Sequence, residues 1–453
     1  MFSKETYMAR RAKLKQTIGS GLLLFLGNDE SGMNYADNTY HFRQDSTFLY
    51  FFGLPYAGLS AIIDIDNDKE IIFGDELTID AIVWMGTQPT LKEKSEAAGI
   101  KEVRPFKEIE TYLKNAKQKG QPIHYLPTYR AEHQIKLFQW LGIVPGAEKP
   151  SVPFIMGVVN QRNYKSEEEI AEIEKACIVT ADMHLTAMRT VRPGIRESDV
   201  AAAVAEVAFA NNYQLSFPII GQTLHNHDHS HMIKSGDMLL LDAGAETEMG
   251  YAGDMSSTIP ADSKFTTRQK DIYDIQVAAH EAAVAALRPG IPFVDVYELS
   301  CKVIMEGLKD LGFVKGDPME AVKAGAHAMF MPCGLGHMMG LDVHDMENLG
   351  EVYVGYDGQP KSTEFGRKSL RLGRKLEPGF VLTIEPGVYF IPELMDLWRG
   401  QNKFTEFINY EKLFTYKDFS GIRNEEDYLI TENGARLLGK KIPLRTEEVE
   451  AIR

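Results

Sequence analysis

Two aspartates, Asp242 and Asp254, stand in the apolar, glycine-rich stretch GDMLLLDAGAETEMGYAGDMSS. Met238 to Leu241 read as a buried strand, and Gly250 and Gly253 supply turn chemistry for a returning one. The stretch therefore predicts a hairpin, with Asp242 ending the first strand and Asp254 in the second. Two carboxylates turned into one cavity are costly unless a cation lies between them. An aspartate after a strand is also an ordinary turn residue, so the pair alone decides nothing. Three more stretches place metal-competent side chains beside glycines or at strand ends. In MPCGLGHMMGLDVHD, His337 and His344 follow closely spaced glycines that let backbone approach whatever His337 faces. In LEPGFVLTIEPGVYF, Glu385 ends an apolar run, and in GIRNEEDYLIT the neighbours Glu425 and Glu426 must face opposite ways, so one of them can share a cavity. Together Asp242, Asp254, His337, Glu385 and one of the Glu425 pair offer carboxylates and an imidazole, the donor mix of Mn²⁺, Co²⁺, Fe²⁺ or Zn²⁺. Four carboxylates balance two divalent cations. Two such ions lower the pKa of a shared water and polarise a carbonyl, which is the chemistry of metal-assisted amide hydrolysis.

The elements that must position these residues divide the chain of 453 residues into two domains, read as 1–155 and 164–453. In the first, an amphipathic helix over residues 6–18 precedes strand-like runs in GLLLFLG, TFLYFFGL, SAIIDID and EIIFGD. A charged helical region follows from Lys92 to Lys119, which makes an α/β domain. The proline-bearing stretch from Val144 to Asn163 reads as the linker. Beyond it, Ser166 followed by Glu167, Glu168 and Glu169 opens a helix that continues to Met188. A second helix opens at Glu197, Ser198 and Asp199, a third spans 267–287 and a fourth 293–311. Each pair is punctuated by R-P-G-I, at Arg192 and at Arg288, and the repetition suggests an internal two-fold.

Composition narrows the class. Lys plus Arg number 49 against 64 for Asp plus Glu, and a net charge of −15 argues against nucleic acid or an anionic membrane as partner. Cys177, Cys301 and Cys333 are few, odd in number and scattered, which supports neither a disulfide framework nor a thiolate zinc site and fits a reducing cytoplasm. The run GLLLFLG is too short to span a bilayer and lacks a small-residue cleavage site, so it reads as a strand.

In order and spacing, DAGAETEMGYAGD, GLGHMMGLDVHD, LEPGFVLTIEPGVYF and GIRNEEDYLIT resemble the pita-bread metallopeptidases aminopeptidase P and prolidase, and YHFRQDSTFLYFFGL resembles their N-terminal domain. The resemblance runs nearly end to end. It implies an α/β N-terminal domain and an α+β pita-bread catalytic domain that binds two divalent ions, manganese first among them. The implied activity is hydrolysis of the Xaa-Pro bond in a small peptide with proline second, by a cytoplasmic homodimer or higher homo-oligomer. Carried over residue by residue, it makes Asp242, Asp254, His337, Glu385 and Glu425 the ligands, with Asp254 and Glu425 on the bridging side. Glu425 is preferred to Glu426 because it stands four residues after the glycine of G-I-R. Glu385 would also shuttle a proton, Arg423 would share the face of Glu425 and buffer charge, and His225 and His344 would contact the scissile region. Arg371, in SLRLGRKLEPG, matches the arginine that would hold a dipeptide's carboxylate, and residues 405–411 lie in a prolidase-like insertion.

Two positions depart from the pattern. Asn226 replaces the tyrosine usual after His225, and Cys333 replaces a histidine usual four residues before the ligand histidine, leaving a weak donor where a proton-handling group stands in relatives. His225, His227, His229 and His231 alternate as on a strand, yet His225 alone has a counterpart, so the others read as a polar loop. A metal-free creatinase-like amidinohydrolase and a catalytically silent binding module on the same fold are the alternatives.

Overall fold

The computed structural model describes residues 1–223 and 229–453. The chain forms two compact units, one of Met1–Arg162 with Met346–Tyr353, the other of Asn163–Asp345 with Val354–Arg453.

In the first unit, β1 (Leu22–Leu26), β2 (Ser60–Asp64), β3 (Lys69–Phe73), β4 (Glu102–Arg104) and β5 (Ile123–His124) form one sheet ordered β4-β3-β2-β1-β5. Its three central strands are antiparallel, and β4 and β5 join in parallel. The helices are α1 (Lys4–Ile18), α2 (Ser46–Phe52), α3 (Ile79–Met85), α4 (Leu91–Ala97), α5 (Ile109–Gln118), α6 (Ala131–Leu141) and α7 (Val152–Arg162). Alternation along β1 explains the layering. Leu22 and Leu24 join Ile62, Ile71 and Phe73 in a core shared with α5 and α6, whereas Phe25 meets Phe51, Phe52 and Phe154 from α2 and α7.

Three sequence expectations fail here for physical reasons. TFLYFFGL is helical, not a strand, because the Asp45 side chain caps the Phe48 amide and the run is buried all round, so no period was left to read. The charged stretch after Lys92 is not one helix, since Pro105 follows a short strand that pairs with β3 and divides α4 from α5. The expected linker holds α7, whose Pro153 sits in the first turn where an amide has no helical partner, and whose Phe154, Ile155, Val158 and Val159 are buried.

In the second unit, α8 (Glu167–Thr190) begins with the capping box of Ser166 and Glu169 and packs on α9 (Glu197–Ala210). In the same way α10 (Thr267–Ala286) packs on α11 (Phe293–Asp310), ahead of α12 (Pro318–Ala324). The strands are β6 (Gln214–Leu215), β7 (Ile220–Gln222), β8 (Met238–Ala243), β9 (Ala245–Glu246), β10 (Met255–Pro260), β11 (Val381–Ile384), β12 (Gly387–Phe390), β13 (Ser420–Arg423), β14 (Glu426–Ile430) and β15 (Ala435–Leu437). They build the sheets β10-β8-β7 and β11-β14-β15 with the pairs β12-β13 and β6-β9. The two-fold suggested by R-P-G-I is visible in the hydrogen bonds. The Gly194 amide donates to Ile233 and the Ile233 amide to Ile195, just as the Gly290 amide donates to Leu376 and the Leu376 amide to Ile291. Counted onward from Ile233 and Leu376, Asp242 and Glu385 occupy corresponding places, Asp242 near the end of β8 and Glu385 directly after β11.

Candidate metal centre and active site

β8 and β10 pair antiparallel with Asp242 opposite Ser256, and Asp254 precedes β10 by one residue instead of lying within it. A bridge between Ser256 and Glu425 then ties this sheet to the second, with the Glu425 amide donating to the Ser256 carbonyl at 3.0 Å. His337 arrives from a loop stitched along β11. Its amide donates to Thr383 Oγ1 at 3.1 Å and its carbonyl accepts from the Thr383 amide at 3.0 Å. That approach requires Gly336, where a Cβ would stand 2.0 Å from the Thr383 carbonyl oxygen.

Ligand atoms of Asp254, His337 and Glu425 lie within 4.8 Å of one another, and all three residues are buried. His337 Nε2 is 3.3 Å from Asp254 Oδ2 and 3.5 Å from Glu385 Oε1. Separations of this size would let these side chains share one divalent ion. His337 Nδ1 lies 3.1 Å from the Met338 carbonyl oxygen. A carbonyl only accepts, so Nδ1 carries the proton and the Nε2 lone pair faces the carboxylates.

The electrostatics call for a cation. Burial, followed by the charges of Asp242, Asp427 and Glu385, holds Asp254 well above the usual carboxylate range. Burial and the charges of Asp254, Glu385 and Asp242 do the same to Glu425. Arg423 supplies one positive charge, donating to Asp242 Oδ2, to Ser256 Oγ at 2.9 Å and to the Tyr389 hydroxyl at 2.7 Å. Burial opposes the guanidinium's charge, but Tyr389, Asp242, Glu425 and Glu385 prevail and raise its pKa. Ser256 Oγ in turn donates to Glu425 Oε2 at 2.7 Å, and Asp242 Oδ1 is buried with no hydrogen-bond partner among the described residues. Several carboxylates around one guanidinium, an orphaned oxygen and an aimed imidazole lone pair together fit divalent metal ions.

Around this cluster the expected residues are distributed unevenly. Thr383 donates to Glu385 Oε1 at 3.3 Å, and the His344 ring stands edge-on to His337 with centroids 4.3 Å apart. Glu426 turns away, as alternation requires, accepting from Tyr428 and lying 3.6 Å from His280. Burial, then the Glu385 charge, pushes the Cys333 thiol up to about 11, and it hydrogen-bonds with the Tyr389 hydroxyl. Arg371 stands on a loop whose Leu370 carbonyl accepts from Tyr356 at 2.7 Å and whose Gly373 and Arg374 amides donate to Gly355. His225, Asn226 and His227 lie outside the described residues. His229 has a left-handed backbone, φ 54°, which breaks the strand alternation of that histidine run.

Sequence reasoning missed Ser256, Tyr389 and Asp427. Asp427 accepts the Asp254 amide and the Cys177 thiol, both at 3.1 Å, and burial pushes it up to about 7 against those hydrogen bonds. Ser256 and Asp427 each stand two residues from an expected ligand, so period two held a signal for them. Tyr389 needed the register of β12 on β13, which sets Gly387 opposite Arg423.

Residues 171–432 match metallopeptidase family M24, and residues 7–124 match the aminopeptidase P N-terminal domain. The chain belongs to metallopeptidase family M24, within its aminopeptidase P and prolidase branch. It is 30% identical to the Xaa-Pro aminopeptidase of Escherichia coli (strain K12), over 99% of this chain and 98% of that one. To the Xaa-Pro dipeptidase of Homo sapiens it is 29% identical, over 98% of this chain and 91% of the other. Among solved structures, it resembles aminopeptidase P from E. coli with the inhibitor Pro-Leu, at 29% identity, TM-score 0.81 and coverage of 100% and 98%. The zinc-substituted E. coli enzyme in complex with product matches at 28% identity, with the same TM-score and coverage. The second unit thus has the pita-bread fold behind an α/β N-terminal domain, as the motifs implied.

Proposed function

We propose that this chain is a metal-dependent, proline-specific exopeptidase that hydrolyses the Xaa-Pro bond at the N-terminus of peptides or dipeptides. The observation that carries the reading is the convergence of Asp254, His337 and Glu425, with Glu385 beside them, in a buried cluster with a deficit of positive charge. Asp242, Asp254, His337, Glu385 and Glu425 would hold two divalent ions, manganese by preference, with zinc, cobalt or iron as substitutes. When bound, the metals supply Lewis acidity at the scissile carbonyl and an acidified water. The metal-free amidinohydrolase reading has no use for so complete a set of acids.

The protein's own groups do the rest. Glu385, steadied by the Thr383 hydroxyl, would pass a proton to the departing proline nitrogen. Arg423 donates to Asp242 and orients it, and through Ser256 it reaches Glu425. His344, edge-on to His337, and His225 would face the substrate, with Arg371 offered to the free carboxylate of a dipeptide. Cys333 is a neutral thiol and at best a weak donor, beside the Tyr389 hydroxyl. Residues 164–453 would form the catalytic domain and 1–155 the N-terminal domain.

A homodimer is supported by α3, whose Ile79, Val83, Trp84 and Met85 are 75, 81, 87 and 55% exposed, and light scattering that finds a monomer would remove it. No helix among the described residues is long and apolar enough to cross a membrane. Cys177, Cys301 and Cys333 are free thiols, which suits the cytoplasm, and localisation of a tagged chain tests that.

The test of function is product analysis on Ala-Pro and on a longer peptide beginning Ala-Pro, with and without Mn²⁺. Metal-dependent release of alanine, abolished by Asp254→Ala together with metal binding, is expected. Purified, metal-loaded protein that cleaves neither substrate overturns the reading.

A further inference from the structure

We infer that the buried ion pair between Lys165 and Asp345 is a clasp that positions His344 against His337. Lys165 Nζ lies 2.8 Å from Asp345 Oδ2, and both side chains are 1% exposed. Taking both charges out of water costs about as much as their attraction returns, so such a pair is a poor source of net stability. What it does here is geometric. Asp345 directly follows His344 and closes the loop that begins at His337. The Asp345 amide donates to the Met338 carbonyl at 2.8 Å, the same oxygen that accepts from His337 Nδ1 at 3.1 Å. One carbonyl, with two lone pairs, thereby serves both the ligand-like histidine and the clasp residue.

The remaining contacts leave the loop little freedom. Asp345 Oδ1 accepts from the Asp342 amide at 3.3 Å, and the Gly340 amide donates to the Asp342 carbonyl at 3.0 Å. The Gly340 carbonyl accepts from Ala252 at 2.9 Å, two residues from Asp254. A Cβ at Gly340 would meet Asp345 Oδ2 and Lys165 Cε, each at 2.9 Å, so the ion pair is packed directly against the turn of the loop. Lys165 is itself anchored, its amide donating to the Gly379 carbonyl at 2.9 Å just ahead of β11. The ammonium thus links the start of the unit to the loop, and the loop sets the His344 ring against His337. Lys165 and Asp345 are positioning residues, since both act through the histidines.

The catalytic half of this inference rests on the exopeptidase reading, and the placement half does not. Single substitutions leave one buried charge unpaired and risk unfolding, so the informative protein is the double variant Lys165→Met with Asp345→Asn, studied as the full zinc-loaded chain beside wild type. With histidines labelled at Cε1, the His344 resonance reports its ring-current environment against His337. We expect that resonance to move to the position of a solvated histidine, and kcat on Ala-Pro to fall about a hundredfold with KM and metal content little changed. A double variant that keeps the wild-type His344 resonance overturns the clasp, whatever its activity. A moved resonance with wild-type kcat overturns the catalytic half. If wild type itself cleaves no Xaa-Pro bond, the exopeptidase reading fails while the resonance still decides the placement.

Discussion

Replacing Arg423 by methionine keeps the aliphatic stem and removes the one guanidinium that meets Asp242, Ser256 and Tyr389. In metal-free protein the change leaves Asp242 with neither oxygen satisfied, because Oδ1 already has no partner among the described residues. Breaking a buried ion pair from one side costs about 3–5 kcal/mol. The Arg423 and Asp242 side chains retain 16% and 14% exposure, which puts the expected loss at the lower end, about 3 kcal/mol. At roughly 2 °C per kcal/mol for a unit of this size, the unfolding midpoint of the chelated variant should drop by about 6 °C. Divalent ions beside Asp242 would take over the neutralising role, so with Mn²⁺ the deficit should shrink to less than about half that value. Calorimetry of wild type and Arg423→Met, each with chelator and with Mn²⁺, reads the four midpoints. An equal drop in both states would mean that the guanidinium and the metals do not share Asp242, and no drop in chelator would refute the electrostatic account altogether.

Two further outcomes follow from the residues around the cluster. Cys333 is held as a neutral thiol with its pKa near 11, so it contributes no titration to the working range; Cys333→His adds a group with an ordinary pKa near 6.5 and should introduce a new step between about pH 5 and 8 in the rate profile, whereas an unaltered profile would exclude the position from proton transfer. Arg371→Ala should cost about 1.5–3 kcal/mol in kcat/KM on Ala-Pro, roughly ten- to a hundredfold, and far less on a tripeptide, which has an amide where the dipeptide has its carboxylate; equal losses on both would shift the reading from dipeptidase to aminopeptidase.

The chemistry of the site was legible in the chain because metal chemistry demands particular side chains, and strands and glycines mark where they sit. Asp242 near the end of β8, Glu385 directly after β11 and Glu425 facing opposite to Glu426 all follow from period-two alternation and strand length. Helix caps were equally local, and Ser166 with Glu169 opens α8 where the sequence said it would. Short apolar runs carried no such information. TFLYFFGL is buried on every side, so the choice between helix and strand passed to the Asp45 cap and to packing on Phe25. Prolines misled at α7 because a first-turn proline and a linker proline look alike until the apolar residues after it find a partner.

Only the tertiary structure decided which donors meet. The bridge between Ser256 and Glu425 joins strands distant in sequence, and no local period encodes it. The same holds for the partners that tune the ligands. Tyr389 reaches Arg423 through the register of β12 on β13, Asp427 reaches the Asp254 amide across two sheets, and Lys165 reaches Asp345 from 180 residues earlier in the chain. Side-chain identity sets what a residue can bind, and it travels with the sequence. The orientation of His337, the orphaned oxygen of Asp242 and the neutrality of Cys333 arise from burial and from neighbours brought by the fold, and those exist only once the chain has closed on itself.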